Sequence, residues 1–359
     1  MAIIAALSPV HAEPVISPIA AEARELSKET LPDFRRDIVQ RIEAGDFELL
    51  DEVHELFRDG TEFFPNGQPK LFAFYNALVV RVDDGDLVSG AAADALRFER
   101  IADMKEWLAA YPDSVAARTS LASEQSDQAW RMRGNTMAHD VTEHQWRAFY
   151  AVMQEAIASL NEVSHPDPHT YNLSISAATS TGMPRETQDA LFAEARARFP
   201  TYPYIYSARA MALLPKWGGA PGEDCELAKS LGTSTNQADK MNYSIVVEAM
   251  VEKPTQMKSI FDSGCLDWTL LKQSFDLRAA ARGLANSDGN YWLGFSAAMH
   301  DRDTAGRAAA YITLYVPSLW MSAQEFNFFL NWPTNVRGPN DPPERPADRP
   351  MAPATVPLN

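Results

Sequence analysis

The chain has 359 residues and a formal net charge of −16, from 48 acidic and 32 basic residues. This charge argues against a nucleic-acid partner, because phosphate binding needs a basic face, but it is compatible with a cationic partner. The hydrophobic fraction of 46% is enough to bury a sizeable core. The length suits two domains or one continuous array, and no apolar run is long enough to predict a membrane span.

The N-terminus begins with a short apolar stretch, Ala2 to Val10, which is followed by His11 and Ala12. Small or apolar residues at 10 and 12 resemble a signal-peptidase site, although no Lys or Arg precedes the stretch. Residues 1–12 are therefore interpreted as a signal peptide or as a disordered terminus. The first interpretation predicts a periplasmic or secreted protein, and the second predicts a cytoplasmic one.

The chain has two cysteines, Cys225 and Cys265. In an exported protein they are expected to form one disulfide, whereas in the cytosol they would be two buried thiols. They have no CxxC spacing and no His pair nearby, so we predict neither a zinc site nor another cofactor.

Helical periodicity dominates the rest of the chain. Between 142 and 163, apolar residues recur at steps of three and four, which predicts an amphipathic helix about six turns long. Residues 78–82 contain three β-branched valines, which would suit a strand, but they continue a helical pattern from Leu71, so they are interpreted as helix. The residues of the first pattern are Trp146, Phe149, Tyr150, Met153, Ala156, Ile157, Leu160 and Val163, and further helices are predicted at 46–58, 70–82, 91–110, 270–284, 290–299 and 304–314.

Prolines separate the predicted helices, and Ser114 is predicted to cap one of them. Pro166 and Pro200 are 34 residues apart, which is the tetratricopeptide period. Phe192 and Ala195 match the tetratricopeptide pattern, whereas the chain has Gln188 at a position where that pattern has Ala. The segment from His169 to Pro200 therefore predicts a helix–turn–helix repeat, and the fold class predicted for the chain is all-α, with stacked antiparallel helix pairs in a tetratricopeptide-like α-solenoid.

The predicted organisation has three parts after residue 12. Residues 13–250 form a helical repeat domain, and residues 251–332 form a C-terminal helical extension packed on it. Residues 333–359 contain eight prolines and almost no large apolar side chains, so they predict a disordered tail.

Several short sequence words together resemble a known family. The most specific are AWRMRG at 129–134 and LLPKWGG at 213–219; weaker ones include Trp107 with Pro112 and Ser114, Trp146 with Phe149, Asp46-Phe47 with Leu50-Asp51, Gly67, and Phe74-Tyr75. Between Asp46 and Met250 the chain resembles an uncharacterised bacterial helical family, domain of unknown function 4034. This resemblance implies a tetratricopeptide-like helical fold and no activity that can be transferred.

The two specific words also contain the candidate binding residues. In LLPKWGG, Lys216 and Trp217 would present a cation and a flat aromatic to a ligand, or Trp217 would pack back on the core. In AWRMRG, Trp130 and Arg133 stand three residues apart on one helical face. Arg133 would bind a carboxylate of a partner, or it would form an internal ion pair.

No chemistry of catalysis or metal binding is predicted. His139 with Glu143 and Asp140 with His144 have helical i,i+4 spacing, but the two pairs would lie about 100° apart and form a solvated polar face. The HExxH, GxSxG, P-loop and GxGxxG motifs are absent.

The function expected is therefore a non-enzymatic helical-repeat scaffold that binds a protein or peptide partner. One alternative is an all-helical hydrolase acting on a glycan or peptidoglycan-type substrate, which should show perturbed carboxylates facing each other in a deep cleft. Another is an acidic inhibitor or immunity-type protein, which should show a compact acidic patch. A scaffold should show a broad groove.

Overall fold

The computed structural model describes residues 17–80 and 91–334. These residues form α-helices and short 3₁₀ turns without a strand, which confirms the all-α prediction. The α-helices, in chain order, are α1 Pro18–Leu26, α2 Leu31–Ala44, α3 Phe47–Phe57, α4 Lys70–Leu78, α5 Ala91–Ala110, α6 Val115–Arg133, α7 Glu143–Asn161, α8 Pro168–Ser180, α9 Arg185–Arg198, α10 Pro203–Leu213, α11 Glu223–Gly232, α12 Gln237–Met250, α13 Gln256–Asp262, α14 Trp268–Arg282, α15 Asn286–Ala298, α16 Arg302–Ala309 and α17 Ala323–Asn331.

Local capping explains where several helices begin. Ser114 accepts a hydrogen bond from the backbone N–H of Ala117 at 3.0 Å, so it caps α6 as predicted. Thr142 and Gln145 form a capping box at the start of α7. The predicted helices at 91–110 and 142–163 correspond to α5 and α7.

The prediction that residues 78–82 continue a helix is wrong for Val79 and Val80. Helix α4 ends at Leu78, and Val79 is extended. The backbone N–H of Val80 donates to a Glu124 carboxylate oxygen at 2.8 Å, and its carbonyl accepts from Arg97 at 2.7 Å. These two side chains take the place of helical hydrogen-bond partners. Residues 81 and 82 lie outside the described residues.

The predicted helix at 304–314 is also too long, because α16 ends at Ala309. The Asn286 side-chain oxygen accepts hydrogen bonds from the backbone N–H groups of Thr313 and Leu314, both at 2.8 Å. This contact from the start of α15 holds residues 313 and 314 outside the helix.

Alternate helices form a row through the middle of the molecule. Helices α6, α8, α10, α12 and α14 follow one another, each packed against the next, and α7, α9 and α11 pack beside them. This packing is consistent with a helical solenoid. Helices α1 to α4 pack on one another, and α3 and α4 also contact α6.

The most extensive helix contact joins α6 to α7. Small side chains lie between them, including the buried Ala122, Ala129 and Ala156. Such residues let helix axes approach closely, so Phe149 and Met153 fill the remaining space. The contact places AWRMRG, at the end of α6, beside α7, where the ring centroids of Trp130 and Phe149 are 5.0 Å apart.

The segment from His169 to Pro200 forms the predicted helix–turn–helix, with α8 and α9 as its helices. Phe192 and Ala195 are buried at the positions that the tetratricopeptide pattern requires. Gln188 is also buried, and its amide donates to the carbonyl of Met183 at 2.9 Å. The glutamine therefore holds the α8–α9 turn.

One large apolar cluster extends from Ala23 in α1 to Trp332 after α17. The residues predicted as a C-terminal extension thus share their core with the preceding helices. None of the described helices has the length and apolarity needed to cross a membrane. The predicted signal peptide at 1–12 and the tail from 335 onward lie outside the described residues.

The two cysteines are joined in the structure as a disulfide, with Cα atoms 5.4 Å apart. Cys225 is in α11, and Cys265 lies just before α14. A bond that closes a span of 40 residues contributes about 4 kcal/mol of stability in the chain-entropy model.

A buried polar network connects the first helices to the row. His54 in α3 lies 2.8 Å from a carboxylate oxygen of Asp167, and the Tyr75 hydroxyl of α4 donates to the same oxygen at 2.5 Å. The other oxygen accepts from the backbone N–H of Thr170 at 2.7 Å, so Asp167 also caps α8. The His54 and Asp167 side chains are almost completely shielded from solvent.

The ion pair within this network predicts a stability optimum on the acidic side of neutrality. Hydrogen bonding to Asp167 overcomes the opposing effect of burial and raises the pKa of His54 from 6.5 to about 8. Hydrogen bonds from His54 and Tyr75 likewise overcome burial and lower the pKa of Asp167 from 3.8 to about 2. The stabilisation from His54 is complete below pH 6.5 and is lost as the pH rises through 8, whereas that from Asp167 is lost as the pH falls from 3.8 towards 2.

Urea unfolding between pH 4 and pH 9 tests this prediction. The wild-type protein should lose about 2 kcal/mol of unfolding free energy between pH 6 and pH 9 from the His54 titration. The variant His54→Gln should lack this part of the profile. Identical pH profiles for the two proteins would contradict the assignment.

Candidate binding groove

Two of the predicted binding residues, Trp130 and Trp217, lie at one cavity of about 260 Å³, here named the tryptophan cavity. Their ring centroids are 5.6 Å apart with perpendicular planes, an arrangement that aromatic pairs favour. The remaining residues of the cavity come from α8 and α10 and are Asn172, Ser176, Thr179, Ser180, Ser207, Ala208 and Met211.

The LLPKWGG loop positions Trp217 by a tight turn. Pro215 begins a 3₁₀ turn, and Gly218 has a φ of +93°, a conformation that favours glycine. A Cβ atom on Gly219 would lie 1.8 Å from the carbonyl oxygen of Leu213. Both glycines are therefore required for the turn that brings Trp217 over α10.

Trp217 neither packs fully into the core nor stands free in solvent. It is half-buried, and its indole nitrogen is shielded without a hydrogen-bond partner in the described residues. Lys216, its neighbour, is ion-paired with Glu252. Trp217 therefore forms part of a cavity wall, whereas Lys216 is held by an internal partner.

Arg133 does not form the internal ion pair that was one of its two predicted roles. Its guanidinium donates to the backbone carbonyls of Gly134 at 3.0 Å and Thr136 at 2.7 Å. It also lies 5.8 Å from the ring centroid of Trp130 and 5.3 Å from that of Trp146. Within 17–80 and 91–334, no carboxylate lies within 4.0 Å of Arg133. Arg133 thus supports Trp130 from outside the cavity.

The polar wall of the tryptophan cavity offers hydrogen-bonding groups of two kinds. The hydroxyls of Ser176, Thr179 and Ser180 donate to backbone carbonyls one turn earlier, so their oxygens are left as acceptors. Asn172 and Ser207 make no side-chain hydrogen bond in the part of the chain that the structure describes. An amide with a free donor and a free acceptor can pair with the N–H and C=O of a peptide.

A second cavity of about 350 Å³, here named the charged cavity, adjoins the first through Ser207, which lines both. Helices α4, α10, α12, α14 and α15 contribute to it, together with the loop at 67–69. Its aromatic wall includes Phe72 and Tyr204, whose rings stack with centroids 3.9 Å apart. Its charged residues are Glu248, Arg278, Arg282 and Asp288.

The loop at 67–69 is held against α14 by two glycines. Gly67 has a φ of +77°, and a Cβ atom on it would lie 2.6 Å from the carbonyl oxygen of Gly283. Gly283 has a φ of +81°, and a Cβ atom there would lie 2.7 Å from the carbonyl oxygen of Pro65. This close approach of two backbones closes one side of the charged cavity.

Arg278 connects two carboxylates in the charged cavity. Its side chain is 2% exposed, and it lies 2.5 Å from Glu248 and 2.7 Å from Asp288. Burial raises the pKa of Glu248 to about 8, and the Asp288 charge adds to this increase while Arg278 opposes it. Burial, reinforced by Arg278, lowers the pKa of Arg282 to about 10.

Sequence reasoning missed the charged cavity entirely. One signal was present, because Arg278 and Arg282 are four residues apart on a predicted helix and so share a face. Glu248 and Asp288 carried no comparable signal among 48 acidic residues.

The prediction that 139–144 lie on one continuous helix is wrong, although His139, Asp140, Glu143 and His144 are exposed, as predicted. His139 and Asp140 belong to a 3₁₀ turn, Ala138–Asp140, and α7 begins afterwards at Glu143. Thr142 caps α7 and separates the two segments. His139 and Glu143, and likewise Asp140 and His144, are therefore not neighbours one turn apart on a helix. The described residues contain no group of three His, Cys, Asp or Glu side chains arranged to hold a metal ion.

Comparisons with protein-family models, with curated proteins and with solved structures gave no match to this chain.

Proposed function

We propose that this chain is a helical-repeat protein that binds a peptide segment of a protein partner along the tryptophan and charged cavities. The observation that carries the proposal is the convergence of Trp130 and Trp217 on one cavity with free polar groups of Asn172 and Ser207. Aromatic rings provide contact area at low entropic cost, and the amide and hydroxyl match a peptide backbone.

The adjoining charged cavity supports an extended ligand. Ser207 belongs to both cavities, so a bound chain can continue from one into the other. Successive helices α8, α10 and α12 provide the floor, which is the geometry of peptide binding by stacked helix pairs.

Binding fits this arrangement better than hydrolysis does. The raised pKa of Glu248 and the nearby Asp288 are features expected of the hydrolase alternative. However, the Arg278 guanidinium is ion-paired with both carboxylates, so neither is free to act as the acid or base that hydrolysis needs. The acidic-inhibitor alternative stays a prediction.

Two further proposals concern the family and the cellular location of the protein. We propose membership of the domain of unknown function 4034 family, because both specific words, AWRMRG and LLPKWGG, contribute to the groove. A periplasmic or secreted location is supported by the Cys225–Cys265 disulfide and by the pattern at residues 2–12.

Selection of a random-peptide phage library on the protein tests the binding function. We expect enriched peptides whose affinity falls at least tenfold in Trp217→Ala, because the indole wall of the cavity is removed. The control Tyr150→Ala removes an aromatic that is 42% exposed on α7 and should leave affinity unchanged. No enrichment, or equal affinity for both variants, would refute the proposal. If the wild-type protein released reducing ends from peptidoglycan and Glu248→Gln abolished this activity, the result would favour the hydrolase alternative instead.

A further inference from the structure

Arg282 is a fixed cation in the charged cavity that lacks an acidic partner. Its guanidinium donates to the carbonyl of Thr201 at 3.2 Å and lies 5.0 Å from the ring centroid of Phe63. Within the two described ranges, no carboxylate lies within 4.0 Å of it. Both carboxylates of the cavity, Glu248 and Asp288, are ion-paired with Arg278, which lies one turn earlier on α14.

The first turn of α15 faces the same cavity, which Ala285, Ser287 and Asp288 help to line. This helix has 13 residues, and its N-cap residue, Ala285, has no side chain that can accept a hydrogen bond. The backbone N–H groups at 286–288 make no hydrogen bond to another group of the described chain. The Asp288 carboxylate of this turn accepts from the backbone N–H of Ala285 at 3.0 Å and offsets part of the helix dipole. The donors that this turn adds to Arg282 are therefore the free backbone N–H groups at 286–288.

An anion near Arg282 would relieve an electrostatic cost of the free protein. The cation is disfavoured by burial and by the like charge of Arg278, which together lower the pKa of Arg282. Glu248 and Asp288 offset this effect only from a distance, because they contact Arg278. A ligand carboxylate can take two hydrogen bonds from a guanidinium in a planar, bidentate arrangement.

The walls beside Arg282 are aromatic. Phe72 and Tyr204 stack on one another, and Tyr291 lines the cavity as well. The volume of about 350 Å³ lies at the lower end of the range for small-ligand pockets. The cavity thus combines one anion-binding group with an apolar surface at its side.

We propose that the charged cavity binds the free C-terminal carboxylate of a peptide whose last side chain is apolar or aromatic, with Arg282 as the anchor. This inference rests on the proposed peptide-binding function and adds an end point to the groove. The peptide would continue past Ser207 towards Trp130 and Trp217.

Isothermal titration with three synthetic peptides tests the inference. The first is acetyl-Ala-Ala-Ala-Phe with a free carboxylate, and the second is its C-terminal amide. The third, acetyl-Ala-Asp-Ala-Phe amide, offers only a side-chain carboxylate. We expect the free acid to bind at least tenfold tighter than either amide. Similar affinities for the first two peptides, or no binding of the free acid at millimolar concentration, would overturn the inference. If the third peptide bound as tightly as the first, the site would recognise side-chain carboxylates, and this result would also overturn the inference.

Two variants test the role of Arg282 itself. Arg282→Gln should abolish the preference for the free acid, whereas Arg147→Gln, at a 72% exposed side chain on α7, should keep it. Ser287→Asp places a carboxylate at the exposed rim of the cavity and should weaken binding of the free acid at least tenfold. Because Asp is favourable in a first helical turn, this variant tests the site even if Arg282→Gln fails to fold. Retention of the preference in Ser287→Asp would be evidence against an anion site.

The same titrations separate this inference from the proposed function. If Trp217→Ala weakens the binding of phage-selected peptides while the free acid binds no tighter than its amide, the groove proposal stands and the carboxylate site is wrong. If Arg282→Gln removes the free-acid preference while Trp217→Ala has no effect on selected peptides, the carboxylate site stands and the extended groove is wrong.

Discussion

Replacing Asp167 with alanine is expected to lower the free energy of unfolding by about 3–5 kcal/mol, the usual cost of removing one partner of a buried ion pair. His54 would remain buried without its counter-charge, and Tyr75 would lose the acceptor that lies 2.5 Å away. Helix α8 would also lose the cap on the N–H of Thr170.

Urea unfolding measures this loss, and Asp267→Ala provides a matched control. Asp267 also caps a helix, accepting from the N–H groups of Thr269 and Leu270, but it is exposed. Loss of a cap alone should cost about 1 kcal/mol. Equal losses in the two variants would mean that the network adds nothing to the cap.

Replacing Arg278 with alanine is expected to cost about 3–5 kcal/mol as well. Glu248 and Asp288 would both lose their counter-charge, and of the two only Asp288 would keep a hydrogen bond, from the backbone N–H of Ala285. Burial already raises the pKa of Glu248, and loss of the opposing Arg278 charge would raise it further, so the folded protein would bind more protons than the unfolded chain. The loss of stability should therefore be larger at pH 9 than at pH 5.

A compensated variant provides the test of this explanation. Arg278→Met combined with Glu248→Gln and Asp288→Asn removes all three charges and should recover most of the stability lost in Arg278→Ala. Lys258→Ala breaks a pair in which both side chains are 61% exposed and should cost less than about 1 kcal/mol. If the compensated variant is no more stable than Arg278→Ala, the unpaired carboxylates are not the cause of the loss.

Much of the helical framework could be predicted from the sequence because its determinants are local. The period of apolar residues and the caps at Ser114 and Thr142 are set within a few residues, and α5, α6 and α7 begin where these features place them. The prediction was wrong where a distant side chain competes for the backbone. Glu124 takes the N–H of Val80, and Asn286 takes the N–H groups of Thr313 and Leu314.

The candidate site was predictable only in part for a similar reason. Trp130 and Trp217 belong to the two most specific sequence words, AWRMRG and LLPKWGG, and the glycines after Trp217 indicated a tight turn. Their convergence depends on how α6 and α10 are placed around α8, which no local pattern encodes. The charged cavity needs residues from α12, α14 and α15 together, so single acids and arginines could not reveal it.

The contact between Gly67 and Gly283 has a consequence for how this protein can change in length. An open repeat array gains or loses a helix pair with little effect on distant parts, because each unit contacts only its neighbours. Here, a unit inserted between α4 and α14 would move these two backbones apart. We therefore expect natural insertions and deletions to fall in surface turns, and the number of helices between the two glycines to stay constant among relatives that keep both.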